Sequence, residues 1–224
     1  MLNFISKPIL DFLMFLSSIV PGHDLGLVIV LLTIIIRIIL YPLSHHTIKA
    51  QAKMSSYRDQ IKEIQTKYKN KEDQSRELMK FYKENKINPF SGCLRLIIQF
   101  VVLIGLYRAL ITIFNTPNEA INYVLLGFLN LSKKNVVLAV LAGVSQLFAS
   151  MLAMKRTAAL PQPGMSDKTA QMQKGLNRQM TYILPALTVF IALNLPSGLA
   201  LYWVVSTLLG LAQDYYLYKK FIPT

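Results

Sequence analysis

One arginine, Arg37, stands inside the apolar run LGLVIVLLTIIIRIILYPL. A guanidinium there costs about 2.5–3.5 kcal/mol even on insertion-derived scales, and it cannot escape by losing its proton. Thr33, Arg37, Tyr41 and Ser44 follow at spacings of four, four and three, so a continuous helix would align them as one polar stripe. No Asp or Glu lies deep enough in an apolar run to pair with Arg37, and Asp214 falls near the end of the last run. A charge without an acidic partner implies hydration, so the stripe is expected to face an aqueous cavity. Gln99, Gln146, Ser150, Asn194, Ser206 and Thr207 are further polar groups within apolar runs, each suited to an interhelical hydrogen bond worth about 0.6 kcal/mol. Arg108, near the end of its run, is placed to reach head groups.

Covalent and metal chemistry find no constellation. His45 and His46 are adjacent and point apart on a helix, with no H-E-x-x-H spacing. Cys93 is the single cysteine, which excludes an intrachain disulfide and a thiolate zinc site. Ser197 sits in a Pro-Ser-Gly turn without a nucleophile elbow or an orienting group. No phosphate-binding or dinucleotide fingerprint occurs. The chain is expected not to be an enzyme and to carry no cofactor and no metal.

The elements that must position Arg37 are apolar helices. Of the 224 residues 53% are hydrophobic and 16% charged, and the mean hydropathy is +0.41, values of a chain whose solvent is lipid. Residues 25–43, 96–114 and 136–154 are runs of 19, near the ~20 a bilayer core requires. Residues 182–195 and 199–218 form a further pair around Pro196, Ser197 and Gly198. The first of that pair is about 21 Å long at helical rise, which suits a thinned bilayer. Five transmembrane helices are expected. Before them, Ile5, Ile9, Phe12, Leu13, Leu16 and Val20 recur at helical spacing opposite Asn3, Lys7, Asp11 and Ser18, the pattern of an amphipathic helix lying on the membrane surface. Residues 1–20 lack a basic n-region followed by a cleavage site, so no removable signal peptide is expected.

Net charge is +13, yet the basic residues alternate with apolar runs and do not form one compact face, so nucleic-acid binding is not expected. Nineteen Lys and Arg fall in residues 45–95, 155–178 and the tail, against three in the other connections. The positive-inside rule then puts the N-terminus outside and the C-terminus in the cytoplasm. Within residues 45–90, Tyr57, Ile61, Ile64 and Tyr68 form one stripe and Leu78, Phe81, Tyr82 and Asn85 another, separated by the polar turn 69–73. Two antiparallel helices would bury them against each other, leaving a basic outer face for anionic lipids or for topology alone. The expected organisation is an extracytoplasmic amphipathic helix (1–24), a first transmembrane helix (25–44), a cytoplasmic helical hairpin (45–90) and four further transmembrane helices with their loops (91–224). Residues 118–130 read as a short apolar loop or helix at the outer surface.

Three segments, GLVIVLLTIIIRIILYPLS, INPFSGCLRLIIQF and LNLPSGLALYW, in this order and with this topology, resemble the YidC/Oxa/Alb family of membrane protein insertases. The resemblance covers most of the chain. It implies an all-α integral membrane protein, five helices around a hydrophilic groove open to the cytoplasm and to lipid and closed outside. By position, Arg37 takes the place of the groove arginine, with Gln99 and Trp203 on the groove wall and Thr33 and Gln146 added as candidate lining. Two departures stand out: Arg95 replaces a common proline, and Gln146 lies about one turn before the usual glutamine position, here Ala149. The resemblance implies a protein of the bacterial plasma (inner) membrane, with nascent membrane proteins as substrates, anionic lipids as partners, and a Sec translocon and a ribosome left open. The alternative from another class is a small-solute or anion transporter or channel using the Arg37 cavity.

Overall fold

The computed structural model describes residues 3–68, 70–86, 91–116, 121–157 and 167–221. Residues 87–90 of the second motif, residues 118–120 of the expected surface segment and much of the 155–178 connection lie outside the described residues or their described side chains. Nine α-helices are described: α1 Asn3–Ile19, α2 Leu25–Ile39, α3 Tyr41–Ser56, α4 Arg58–Lys67, α5 Lys71–Glu84, α6 Ser91–Asn115, α7 Val136–Thr157, α8 Asp167–Asn194 and α9 Ser197–Phe221, with a 3-10 turn at Pro21–His23. Two short strands, β1 Val124–Leu125 and β2 Leu129–Asn130, pair antiparallel.

By length and composition, two described helical stretches are apolar enough to cross a membrane, Ile97–Asn115 and Val136–Met154, and a third is the bent pair α2 and α3. Thr181–Asn194 is a shorter apolar stretch. The run expected to form one helix over 25–43 is broken: α2 ends at Ile39, and the axis turns by 54° into α3. Pro42, in the first turn of α3, has no N–H to continue the ladder and its ring crowds the preceding turn. The expected stripe therefore does not run straight. Tyr41 is exposed and Ser44 buried beyond the bend, and α3 continues unbroken through residue 56.

Burial is uneven along the helices. In α2 the buried residues run from Leu25 to Thr33 and stop. In α6 they are Gly105, Leu106, Ala109, Leu110 and Ile113, with none among residues 97–104. In α9 all six residues from Ser197 to Tyr202 are buried, and beyond them only Ser206, Gly210 and Leu217. The apolar core thus sits at one end of the bundle, the loop end, where α2 and α9 begin and α6 finishes. The other end, toward α3–α5, is the hairpin end. α7 lies against α9 and carries α8. Gly143 permits that close pairing, since a Cβ there would fall 2.1 Å from Val189 Cγ2.

α1 differs from a helix that only rests on a surface. Leu13, Leu16, Ser17 and Val20 are buried at the loop end against α6 and α2, while Phe15 and Ile19 on another side are exposed. Residues 121–130 form no helix: the strands turn through Leu126 and Gly127, both at positive φ, a geometry Gly accepts readily.

α4 and α5 form a helical hairpin with its own small core of Ile61, Leu78 and Tyr82, flanked by Tyr57, Ile64 and Phe81. Asn70 caps α5 by accepting from Glu72 N at 3.1 Å, and Gln74 Nε2 reaches across to Gln65 O at 2.6 Å. Lys53 Nζ on α3 donates to Asn85 O at 2.5 Å, pinning the end of α5. A cation at a helix C-terminus also suits the macrodipole.

Candidate functional site

Arg37 lies in the last turn of α2, just before the bend, where the negative end of the helix dipole favours a cation. It is half-buried, and its guanidinium crosses to α9. Nη2 donates to Ser206 O and, at 2.8 Å, to Ser206 Oγ. The guanidinium packs against Gly210, where an added Cβ would be 2.9 Å from both Nη1 and Nη2. From α6, Gln99 Nε2 donates to Ser206 Oγ at 3.1 Å and to Tyr202 OH at 3.2 Å. Three helices therefore share one polar network of Arg37, Gln99, Tyr202 and Ser206. The sequence offered no deep acidic partner for Arg37 and implied hydration; a backbone carbonyl and a hydroxyl of α9 are among the partners it takes. Ser206 makes the interhelical hydrogen bonds its place in an apolar run suggested, whereas Tyr202 and Gly210 were not singled out, although the spacing of four along 202, 206 and 210 marks one face of α9.

The other candidates fall elsewhere. Trp203 Nε1 donates to Gln146 Oε1 at 3.4 Å, joining α9 to α7. Residue 203 is about 100° around the helix from residue 202, so this pair occupies a neighbouring face of α9. Thr33 is 0% exposed and donates to Ile29 O of its own helix at 2.6 Å. It is a packing residue beside the network, with no surface to offer a ligand.

At the loop end the same helices are tied together by the segment 121–133. Asp24, buried, caps α2: its Oδ1 accepts from Gly26 N at 2.8 Å and Leu27 N at 3.3 Å. Its Oδ2 accepts from Leu126 N at 2.8 Å, holding the turn between β1 and β2. Leu25 N and Asn122 O, and Asn122 N and His23 O, complete that side. On the opposite side Ser197 Oγ donates to Asn130 O at 2.8 Å. Ser197 N donates to Lys133 O and Gly198 N to Leu131 O. Gly26 and Gly198 are needed for close approach: a Cβ at 26 would come 2.4 Å from Leu125 Cδ1, and one at 198 would meet Ile29 and Leu110. Backbone polar groups that lipid could not satisfy are paired here among themselves.

The arrangement can hold a cation at the thinly packed hairpin end of helices whose loop end is closed. Known proteins resemble the chain as a whole in sequence and in shape. A solved structure described as an active YidC insertase with its first transmembrane domain resolved superposes with a TM-score of 0.64 at 28% identity, over 96% of this chain and 46% of that one. The membrane protein insertase YidC of Geobacter metallireducens is 31% identical over 96% of this chain, which spans 37% of that protein's length. That of Clostridium tetani is 32% identical over 89% of this chain and 84% of its own length. Membrane protein insertase YidC 1 of Lactococcus lactis is 35% identical over 83% of this chain and 65% of its own. The sequence model of the 60Kd inner membrane protein family matches residues 15–223, and the chain belongs to that family.

Proposed function

We propose that this protein is a membrane protein insertase that moves polar segments of nascent membrane proteins through a hydrated groove and releases their apolar segments into lipid. The observation that carries the reading is the pairing of a half-buried Arg37 network at the hairpin end with a closed core at the loop end. A charge on that side replaces part of the hydration a polar segment loses, and so lowers the barrier to its passage. Lateral escape of the apolar segment then follows at about 25 cal/mol per Å2 buried in lipid. Arg37, Gln99 and, on the adjoining face, Gln146 and Trp203 would line the path; Thr33 would only support it.

The same proposal takes five transmembrane helices: the bent α2 and α3, α6, α7, the apolar part of α8, and α9. The Lys and Arg asymmetry supports a loop end outside and both the hairpin and the C-terminus in the cytoplasm. Nascent membrane proteins are the substrates and anionic lipids contact the basic hairpin, with a Sec translocon and a ribosome as candidate partners. A channel would need an exit at the loop end, where Leu25, Ile29, Leu106, Leu110 and Leu131 are fully packed.

Reconstitution in liposomes of phosphatidylethanolamine and phosphatidylglycerol tests the reading. The expected result is protease-protected insertion of a small single-span substrate without ion leakage. Ion flux without insertion would establish the channel instead.

A further inference from the structure

We infer that Ser206 and Gly210 form a docking niche that withholds the donor fork of Arg37 from the groove while leaving its charge, so that residue 210 sets how readily the protein engages segments carrying carboxylates. The inference rests on the insertase reading. Ser206 O is the carbonyl that, in an α-helix, receives the N–H of residue 210. The two niche residues are thus consecutive turns of one face of α9. Nη2 spends its hydrogens on Ser206 O and Ser206 Oγ, and the absent side chain at 210 lets Nη1, Nη2 and Cζ rest on the helix backbone, 2.9, 2.9 and 3.1 Å from where a Cβ would stand. Gln99 Nε2 donates to the same hydroxyl, keeping Ser206 Oγ turned as an acceptor.

A carboxylate takes an arginine best through two parallel N–H donors. Both bidentate modes of a guanidinium use Nη2, so with Nη2 occupied and its Nη1–Nη2 edge close against residue 210, that fork is incomplete until the side chain leaves the niche. Apparent affinity for an acidic segment is then the intrinsic affinity reduced by the undocked fraction. The three atoms nearest an added Cβ at 210 all belong to the far end of the flexible Arg37 side chain, so the arginine is the part that yields. The niche therefore acts as a specificity-determining device: docked, the arginine provides a diffuse field for any polar segment; undocked, it provides a fork for acidic ones.

The test uses proteoliposomes and two versions of one single-span substrate, its translocated segment carrying either two Asp or two Asn. The readout is the ratio of acidic to neutral insertion at subsaturating substrate. Loss of a charged hydrogen bond in the docked state predicts a rise in this ratio of about tenfold for Gly210→Leu, and a smaller rise for Gly210→Ala and for Ser206→Ala, which adds no bulk. Adding Arg37→Ala to Gly210→Leu must abolish the rise. A ratio unchanged or lowered in both Gly210→Leu and Ser206→Ala, while the neutral version still inserts, overturns the niche and leaves the insertase reading intact. A rise in only one of the two also overturns it, since docking requires both residues. Failure of the unsubstituted protein to insert either version overturns the insertase reading and the niche together.

Discussion

At the loop end, α2 and α9 meet through Leu25, Ile29, Leu199 and Ala200, every one nearly fully buried, and about 12 Å further along α2 the same two helices meet through a guanidinium and a serine. The loop end also pairs its polar groups: the Asp24 carboxylate accepts three backbone N–H groups and Ser197 joins both loop and helix. At the hairpin end Gln213 Oε1 is buried without a partner. Between apolar helices in lipid, association comes from close packing and satisfied hydrogen bonds, because lipid tails are as apolar as leucine. One end of the bundle therefore carries stability and closure, and the other keeps polar groups available at some cost in stability.

Removing the hairpin-end charge is the most direct way to break this contrast. Arg37→Ala and Arg37→Glu are expected to raise the barrier for a charged translocated segment by about 2 kcal/mol, near thirtyfold in rate, with a milder loss for short uncharged segments. Arg37→Lys keeps the charge and one donor to Ser206 and is expected to retain much of the activity. Equal insertion by Arg37→Ala and the unsubstituted protein would remove the charge from the mechanism.

The loop end is attacked at Asp24. Asp24→Ala loses the helix cap and leaves the Leu126 N–H buried or exposed to lipid without its acceptor, a loss of about 2–3 kcal/mol. Asp24→Asn keeps a capping oxygen and is expected to cost about half as much. Thermal melting in detergent reads both, and solute leakage from proteoliposomes reads closure; if Asp24→Ala leaves both unchanged, closure does not depend on this carboxylate.

The hairpin stands apart from both ends. Replacing residues 58–84 by a short linker is expected to lower insertion several-fold, on the order of 1 kcal/mol, with the melting temperature of the core preserved. Full activity after deletion would reduce α4 and α5 to an anchor that only sets topology. The smallest effect is at Tyr82, whose phenol is buried without a hydrogen-bond partner. Tyr82→Phe is expected to stabilise the hairpin by about 1 kcal/mol or less. Burial raises the Tyr82 pKa above 10.0, so the folded hairpin holds the proton more firmly than the unfolded one. Its stability is complete below pH 10 and declines as pH rises through the folded value. Spin labels at Lys62 and Lys80 should separate above about pH 10 in the parent and stay together in Tyr82→Phe; identical pH profiles would exclude the phenol as the cause.

The hairpin was legible from the chain alone, since Tyr57, Ile61 and Ile64 face Leu78, Phe81 and Tyr82 by helical period only. Arg37 was legible because a charge in an apolar run is conspicuous. Its partner was not: a backbone carbonyl on a helix 169 residues away has no side-chain signature, and a search for acids passes over it. The break after Ile39 could have been read from Pro42, but the apolar run continues through it and hydropathy alone spans the bend. The strands at 124–130 were obscured in the same way, because Gly127 was the single turn signal inside an apolar stretch. The Asp24 contact to Leu126, between residues 102 apart, depends on tertiary placement and leaves no local pattern.

Order of synthesis gives the segment 121–133 a further meaning. Its contacts with His23, Asp24 and Leu25 become possible once its own residues are made, but its contacts with Ser197 and Gly198 wait for the last helix, and so do the contacts of Arg37 with Ser206. Until α9 is threaded, the carbonyls of Asn130, Leu131 and Lys133 lack their α9 donors and Arg37 lacks its contacts with Ser206. Assembly is therefore expected to lock in a single late step, with α9 as the closing piece. A chain halted before residue 197 should be the form most exposed to membrane proteases.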